Sequence, residues 1–325
     1  MNILEVRKLN IGFNMYDRAM NRKHYPAVFD LDIDVKKGEI HAVAGSSGSG
    51  KSLMAHAILG ILPPNATVRA EMKFKGEDLD NKKLAKLRGD EMAFVPQSVA
   101  YLDPLMRVGD QLKIRGSGDE EIMSVIEMLG FEKKDLKKFP FQLSGGMARR
   151  ILIANAMLSK ASLIVADEPT PGLSLDLAAE VLNHFRTMAN QGRGVLLITH
   201  DIDLVCKVAD RMSVFYGGRI LETLDTADFI NGPEFIKHPL TKAFWRALPQ
   251  NGFNDTAREK RKDTLPKNER GKPGFVTYCR RKDNAETKLL FPDAFPPKIM
   301  AIGKTRYFSF ATTEIWSRCC LIPDA

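Results

Sequence analysis

One octapeptide constrains this 325-residue chain more than anything else in it. Gly45-Ser46-Ser47-Gly48-Ser49-Gly50-Lys51-Ser52 fits G-x-x-x-x-G-K-[ST], the pattern of a phosphate-binding loop. Such a loop belongs between a buried strand and a helix. Its flanks supply both, because apolar Ile40, Ala42, Val43 and Ala44 precede it and a helix-like run from Leu53 to Leu62 follows. Glycines let backbone N–H groups close around phosphate oxygens, Lys51 has the reach for the β- and γ-phosphates, and the Ser52 hydroxyl suits Mg²⁺. A helix starting near Lys51 also aims the positive end of its dipole at the anion. The plainer alternative for the octapeptide alone is a Gly/Ser-rich turn of no function, which other segments weigh against.

Leu163-Ile164-Val165-Ala166-Asp167-Glu168 is a short apolar run ending in two acids, the pattern of a buried parallel strand whose carboxyl end opens onto a ligand crevice. Asp167 is placed to hold Mg²⁺, directly or through water, and Glu168 to polarise an attacking water. The plainer alternative is that both acids cap the next turn. Gly194-Val195-Leu196-Leu197-Ile198-Thr199-His200-Asp201 repeats the design of a buried strand ending in polar groups. Leu143-Ser144-Gly145-Gly146-Met147 opens a helical run through Arg149 to Ala156, and the backbone N–H groups of Ser144, Gly145 and Gly146 form a second anion-binding helix end.

With these pieces in this order the sequence resembles the nucleotide-binding subunit of an ABC transporter. The matching segments are the P-loop at 45–52, Val95-Pro96-Gln97 as the Q-loop, Leu143 to Met147 as the signature, Asp167-Glu168 as Walker B, and His200 as the switch histidine. The resemblance implies an α/β P-loop NTPase fold: a mixed sheet core with a helical subdomain and an antiparallel β subdomain. It also implies ATP and Mg²⁺ as ligands. Gly45 to Ser52 and Leu53 would bind nucleotide; Ser52, Gln97 and Asp167 would hold the metal; Lys51, Gln97, Glu168 and His200 would carry out hydrolysis. Ser144, Gly145 and Gly146 would bind the nucleotide held by an opposite subunit, in a head-to-tail dimer of self or paralogue. The further partners implied are two transmembrane permease subunits and, indirectly, an extracytoplasmic substrate-binding protein, with no nucleic acid beyond nucleotide.

The branch is suggested by His238-Pro239-Leu240-Thr241-Lys242-Ala243-Phe244-Trp245-Arg246-Ala247-Leu248-Pro249, by Pro140-Phe141-Gln142 and by Leu102-Asp103-Pro104, which resemble elements of the peptide and nickel importers. The cargo implied is peptide, nickel or a metal–metallophore complex. Two positions depart from the family pattern. Ser174 stands where its D-loop aspartate is expected, with Asp176 two residues late, and the aromatic that stacks on adenine is not fixed: Tyr16 is the candidate, with Phe13 and Tyr25 as alternatives.

Composition agrees. The chain is long enough to bury a full α/β core and carry an appendage, and 44% of its residues are hydrophobic. No apolar run reaches bilayer length and the N-terminus lacks a secretory h-region, which places the protein in the cytosol or on the cytosolic face of a membrane. Cys206, Cys279, Cys319 and Cys320 read as free thiols. Of the net charge of +8, +6 lies from Asn251 onward, so the body is nearly neutral and the basic tail reads as a solubilising, partly disordered extension. A competing class, ABC-type ATPases acting on nucleic acid or ribosomes, usually shows a long coiled-coil insertion or two cassettes. Only 45 residues separate Gln97 from Leu143 here.

The expected organisation is a core of 1–96 and 161–235, a helical segment of 97–160 and an extension of 236–325. Glu71 to Asp90 reads as an antiparallel edge excursion. Ser117-Gly118-Asp119-Glu120 reads as a capping box for a helix with Ile122, Val125, Ile126 and Leu129 on one face and Gly130 as its stop. Gly217-Gly218 reads as a tight turn between two strands.

Overall fold

The computed structural model describes residues 1–16, 20–113, 116–248 and 251, together with the backbone of 298–302 and 305–309. The chain divides into two units. Residues 1–45 and 49–238 form the first; residues 46–48 and the described residues from Pro239 onward form the second.

The first unit opens with two long antiparallel strands, β1 (Asn2–Tyr16) and β2 (Arg22–Lys36), whose alternating apolar residues bury Leu4, Val6, Val28, Leu31, Ile33 and Val35. β3 (Ile40–Gly45) is buried at every position and leads through the glycine-rich turn into α1 (Lys51–Ile58). That helix is shorter than the run Leu53 to Leu62 suggested. Leu59 caps it, Gly60 takes the left-handed conformation that ends helices (φ 63°), and Pro63 and Pro64 forbid its resumption.

The excursion expected over Glu71 to Asp90 is only half β. β4 (Ala66–Phe74) pairs antiparallel with β1, and the two-residue β5 (Glu77–Asp78) pairs with β4. The chain then turns helical as α2 (Asn81–Leu87), because the Asp80 side chain accepts the Lys83 N–H and Lys and Leu favour the helix.

β6 (Met92–Val95) returns to the central layer. Up to the next strand, the described residues are helices and irregular chain: α3 (Val108–Lys113), α4 (Asp119–Met128) and α5 (Gly145–Leu158). α4 buries Ile122 and Ile126, Leu129 is buried at its C-cap, and the helix ends at Gly130 (φ 74°). The capping box does not form. Ser117 Oγ donates instead to the Leu158 carbonyl, Gly118 is the N-cap, and Asp119, Glu120 and Glu121 meet the positive helix end.

After α5 come β7 (Leu163–Asp167), α6 (Leu175–Asn190), β8 (Gly194–Thr199), α7 (Ile202–Val208), β9 (Arg211–Tyr216), β10 (Arg219–Asp225) and α8 (Thr226–Asn231). The main sheet has the order β10-β9-β3-β8-β7-β6, parallel from β9 to β6, with β10 antiparallel at one edge across the Gly217-Gly218 turn. The other sheet has the order β2-β1-β4-β5. A half-buried ion cluster bolts β2 to the main sheet: Arg211 Nη2 lies 2.6 Å from Asp34 and its Nε 2.5 Å from Glu39.

The second unit contains α9 (Pro239–Arg246) and an antiparallel pair, β11 (Lys298–Ile302) and β12 (Thr305–Ser309). The basic stretches Arg258–Lys262 and Arg280–Lys282, Cys279, Cys319 and Cys320 lie outside the described residues. Among the described residues, no helix is long and apolar enough to cross a membrane.

Candidate active site

Strand order decides which side chains meet. β8 lies between β3 and β7, with Ala44 beside Thr199 and Ile198 beside Asp167, and Val95 at the end of β6 lies beside Ala166. The carboxyl ends of four adjacent parallel strands therefore carry Gly45, His200, Asp167-Glu168 and Gln97, the edge where open α/β sheets take their ligands.

The turn from β3 to α1 requires glycine. Gly48 (φ 73°) and Gly50 (φ 112°) occupy left-handed conformations, and a Cβ on Gly45 would collide with the Phe215 carbonyl of β9. Ser47 and Gly48 are exposed, with Ser46, Ser49 and Gly50 half-buried. Lys51, buried at the start of α1, donates from Nζ to the Gly45 carbonyl at 2.8 Å. Burial pulls its ammonium below the ordinary value, against the opposing charges of Glu168 and Asp167. Leu53 packs against the core.

Asp167 is 1% exposed, and its Oδ1 has no hydrogen-bond partner. Burial pushes its carboxyl above the usual range; a hydrogen bond with Ser52 and the charges of His56 and Lys51 pull the other way. A buried carboxylate oxygen without a donor is costly unless a cation meets it. A side-chain hydroxyl and one carboxylate are also the sparse oxygen set that Mg²⁺ uses alongside substrate phosphates, so the residues fit the metal. His56, one turn beyond Ser52, stands edge-on to Phe94 at 5.8 Å between ring centroids.

Glu168 is held in the left-handed region (φ 49°), an uncommon conformation for a non-glycine residue, by its N–H donating to the Ile198 carbonyl at 2.8 Å. Its buried Oε2 lies 2.6 Å from His200 Nδ1. That hydrogen bond is the main reason the imidazole is raised above its ordinary value.

Comparison with known proteins settles the family. The chain is 32% identical over 265 residues to the oligopeptide transport ATP-binding protein OppD of Lactococcus lactis subsp. cremoris, covering 76% of each chain. It is 33% identical to the dipeptide transport ATP-binding protein DppD of Escherichia coli, covering 77% of this chain and 79% of that protein. The chain belongs to the ABC transporter family. The family profile described as ABC transporter matches residues 28–171 of this ABC protein. Its fold resembles that of a dimeric ATP-binding cassette in a post-hydrolysis state with ADP and phosphate, with a TM-score of 0.61 at 24% identity over 69% of this chain and 98% of the other.

The remaining motifs of this ABC ATPase lie outside the Lys51–Asp167–Glu168 cluster. Gln97 is exposed, and its carbonyl accepts from Arg149 Nη2 at 2.9 Å. Ser144 caps α5 by accepting the Met147 N–H at 3.2 Å, Gly145 is exposed, and nothing lies within 4 Å of where a Cβ on Gly145 would stand. Gly145 thus faces open space, whereas Gly146 beside it lies against Gly172. Ser174 is the exposed N-cap of α6, with Asp176 in the first helical turn. Tyr16 ends β1 opposite Arg22, 67% exposed, whereas Phe13 packs on the core opposite Tyr25. Cys206 is a free, half-buried thiol pushed up to about 11 by burial. Two residues escape motif reading: Arg149 and His56 sit inside helical runs, where sequence alone assigns them only a helix position.

Proposed function

We propose that this ABC ATPase energises an importer of oligopeptides or dipeptides from the cytoplasmic face of the membrane, paired head to tail with a second ATPase subunit and seated on two permease subunits. The observation that carries the catalytic part is the partnerless, fully buried oxygen of Asp167 beside the Ser52 hydroxyl and Lys51.

Ser52 and Asp167, with Gln97 from the neighbouring strand end, would hold Mg²⁺. When bound, the metal supplies charge neutralisation at the phosphate oxygens. Lys51 and the backbone N–H groups of the Gly45–Ser52 loop bind and orient the triphosphate. Glu168 accepts a proton from, or orients, the attacking water, and His200 fixes the Glu168 carboxylate through Nδ1. The backbone N–H groups of Ser144, Gly145 and Gly146 at the start of α5 suit the triphosphate of a facing subunit. Adenine would stack on one of the aromatics near the β1–β2 end, Tyr16 among them. We assign the core to 1–96 and 161–235, the helical segment to 97–160 and an extension to the rest.

Transport is favoured by a groove of about 400 Å³ next to Gln97, lined by Val99, Leu102, Pro104, Pro140 and Phe141. Phe141 is 73% exposed and Leu105 beside the groove 87%, a surface suited to a short apolar helix of a permease. The relatives, oligopeptide and dipeptide transport ATP-binding proteins, also favour peptide cargo over nickel, and transport over action on nucleic acid or ribosomes. Native purification from membranes tests this directly. Permease subunits should co-purify, and ATP turnover of the complex should rise on adding short peptides with their binding protein; recovery with ribosomes and no permease would refute it.

A further inference from the structure

Arg149 stands on the second turn of α5 and spends its guanidinium on two main-chain carbonyls from two separate loops. Nη2 donates to the Gln97 carbonyl at 2.9 Å, and Nη1 donates to the Pro171 carbonyl. Neither acceptor belongs to a helix or strand. A planar, permanently charged fork is the side chain best able to bridge two such acceptors at once. The two carbonyls matter because of what they adjoin. Gln97 is itself a candidate catalytic residue, and Pro171 follows Glu168 by three positions. The charge of Glu168 also reaches Arg149. Next to the strut, a Cβ on Gly146 would stand 3.6 Å from the Gly172 carbonyl, so the start of the signature helix lies against the same loop.

We propose that Arg149 is a positioning residue for ATP hydrolysis: it ties the Q-loop and the loop after Glu168 to the signature helix, so that Gln97 and Glu168 are set in place together and shift with that helix. This rests on the ATPase reading above. Its hydrogen bonds go to neither Lys51 nor the Gly45–Ser52 loop, so nucleotide affinity is separable from turnover. Misplacing catalytic groups by a fraction of an ångström lowers rate without loosening the grip on the phosphates.

The experiment uses the full-length chain with Arg149→Gln and Arg149→Lys, reading kcat for ATP, Kd from a fluorescent-nucleotide titration, and the thermal midpoint. Arg149→Gln should lose roughly tenfold or more in kcat with Kd within about twofold. Arg149→Lys should fall between it and wild type. Backbone hydrogen exchange over 97–104 and 169–174 should quicken in the glutamine variant. Wild-type kcat in Arg149→Gln overturns the proposal, as does a parallel loss of kcat, affinity and thermal midpoint. If the glutamine variant does not fold, the lysine variant decides: lowered kcat at unchanged Kd supports the strut, and wild-type kcat refutes it. Wild type that turns over no ATP even when assembled with its partner subunits would sink the ATPase reading instead, and the exchange measurement would still report on the strut.

Discussion

Asp167 and Glu168 are neighbours in sequence with different environments. Asp167 ends a strand buried on both faces, where burial disfavours its charged form, so the position makes physical sense as one half of a cation site. Glu168 follows in a left-handed conformation that costs about 1 kcal/mol for a residue with a Cβ. That cost persists because the Ile198 carbonyl and His200 hold it there. The pair has a pH signature. His200 is raised above its ordinary value of 6.5, so its stabilisation is fully present below that value and is lost as pH rises through the folded-state value. His41, His56 and His184 are pulled down by burial and titrate with the opposite sign, so the contrast between wild type and His200→Gln isolates His200. Between about pH 6 and about pH 9, wild type should lose more thermal stability than His200→Gln; identical slopes would remove the pairing. Sequence named Asp167, Glu168 and His200 through motif spacing. It did not reveal that Glu168 and His200 touch, or that Arg149 joins Gln97 to Pro171, since such contacts depend on backbone carbonyls that no residue type announces.

At the scale of elements, the apolar runs of β3, β7 and β8 were legible because a central parallel strand is covered on both faces and is built mainly from apolar residues; His41 in β3 is a buried exception, its ring nitrogens meeting the Asp34 carbonyl and the Ser213 hydroxyl. The turn at Gly217-Gly218 and the end of α4 at Gly130 were legible because glycine alone tolerates those angles cheaply. The misreadings share one cause: competition between local signals. Asp80 captured a helix start inside a stretch that looked β, Gly60 cut α1 before its apolar run ended, and Ser117 found a tertiary partner in the Leu158 carbonyl instead of capping α4. Gly45 shows a packing demand hidden within a functional motif. Because a Cβ there would press into the Phe215 carbonyl of β9, Gly45→Ala should destabilise the chain by roughly 1–3 kcal/mol in urea unfolding, nucleotide aside. Unchanged stability would show that β3 and β9 have slack at that point.

For the molecule as a whole, the sheet gathers Lys51, Asp167, Glu168 and His200 at one edge, while Ser144 and Gly145 at the start of α5 are exposed. The pairing with a second subunit proposed above would bring that helix start to a facing nucleotide. The tail beyond residue 251 was readable only as a charge imbalance, because it lacks the periodicity that assigns elements. The most direct test of the central claim is ATP turnover by full-length Glu168→Gln in Mg²⁺, measured beside its nucleotide affinity. The expected result is wild-type affinity with turnover reduced by at least about a hundredfold and an ATP-stabilised association between subunits. Wild-type turnover in that variant would contradict the assignment of the catalytic centre.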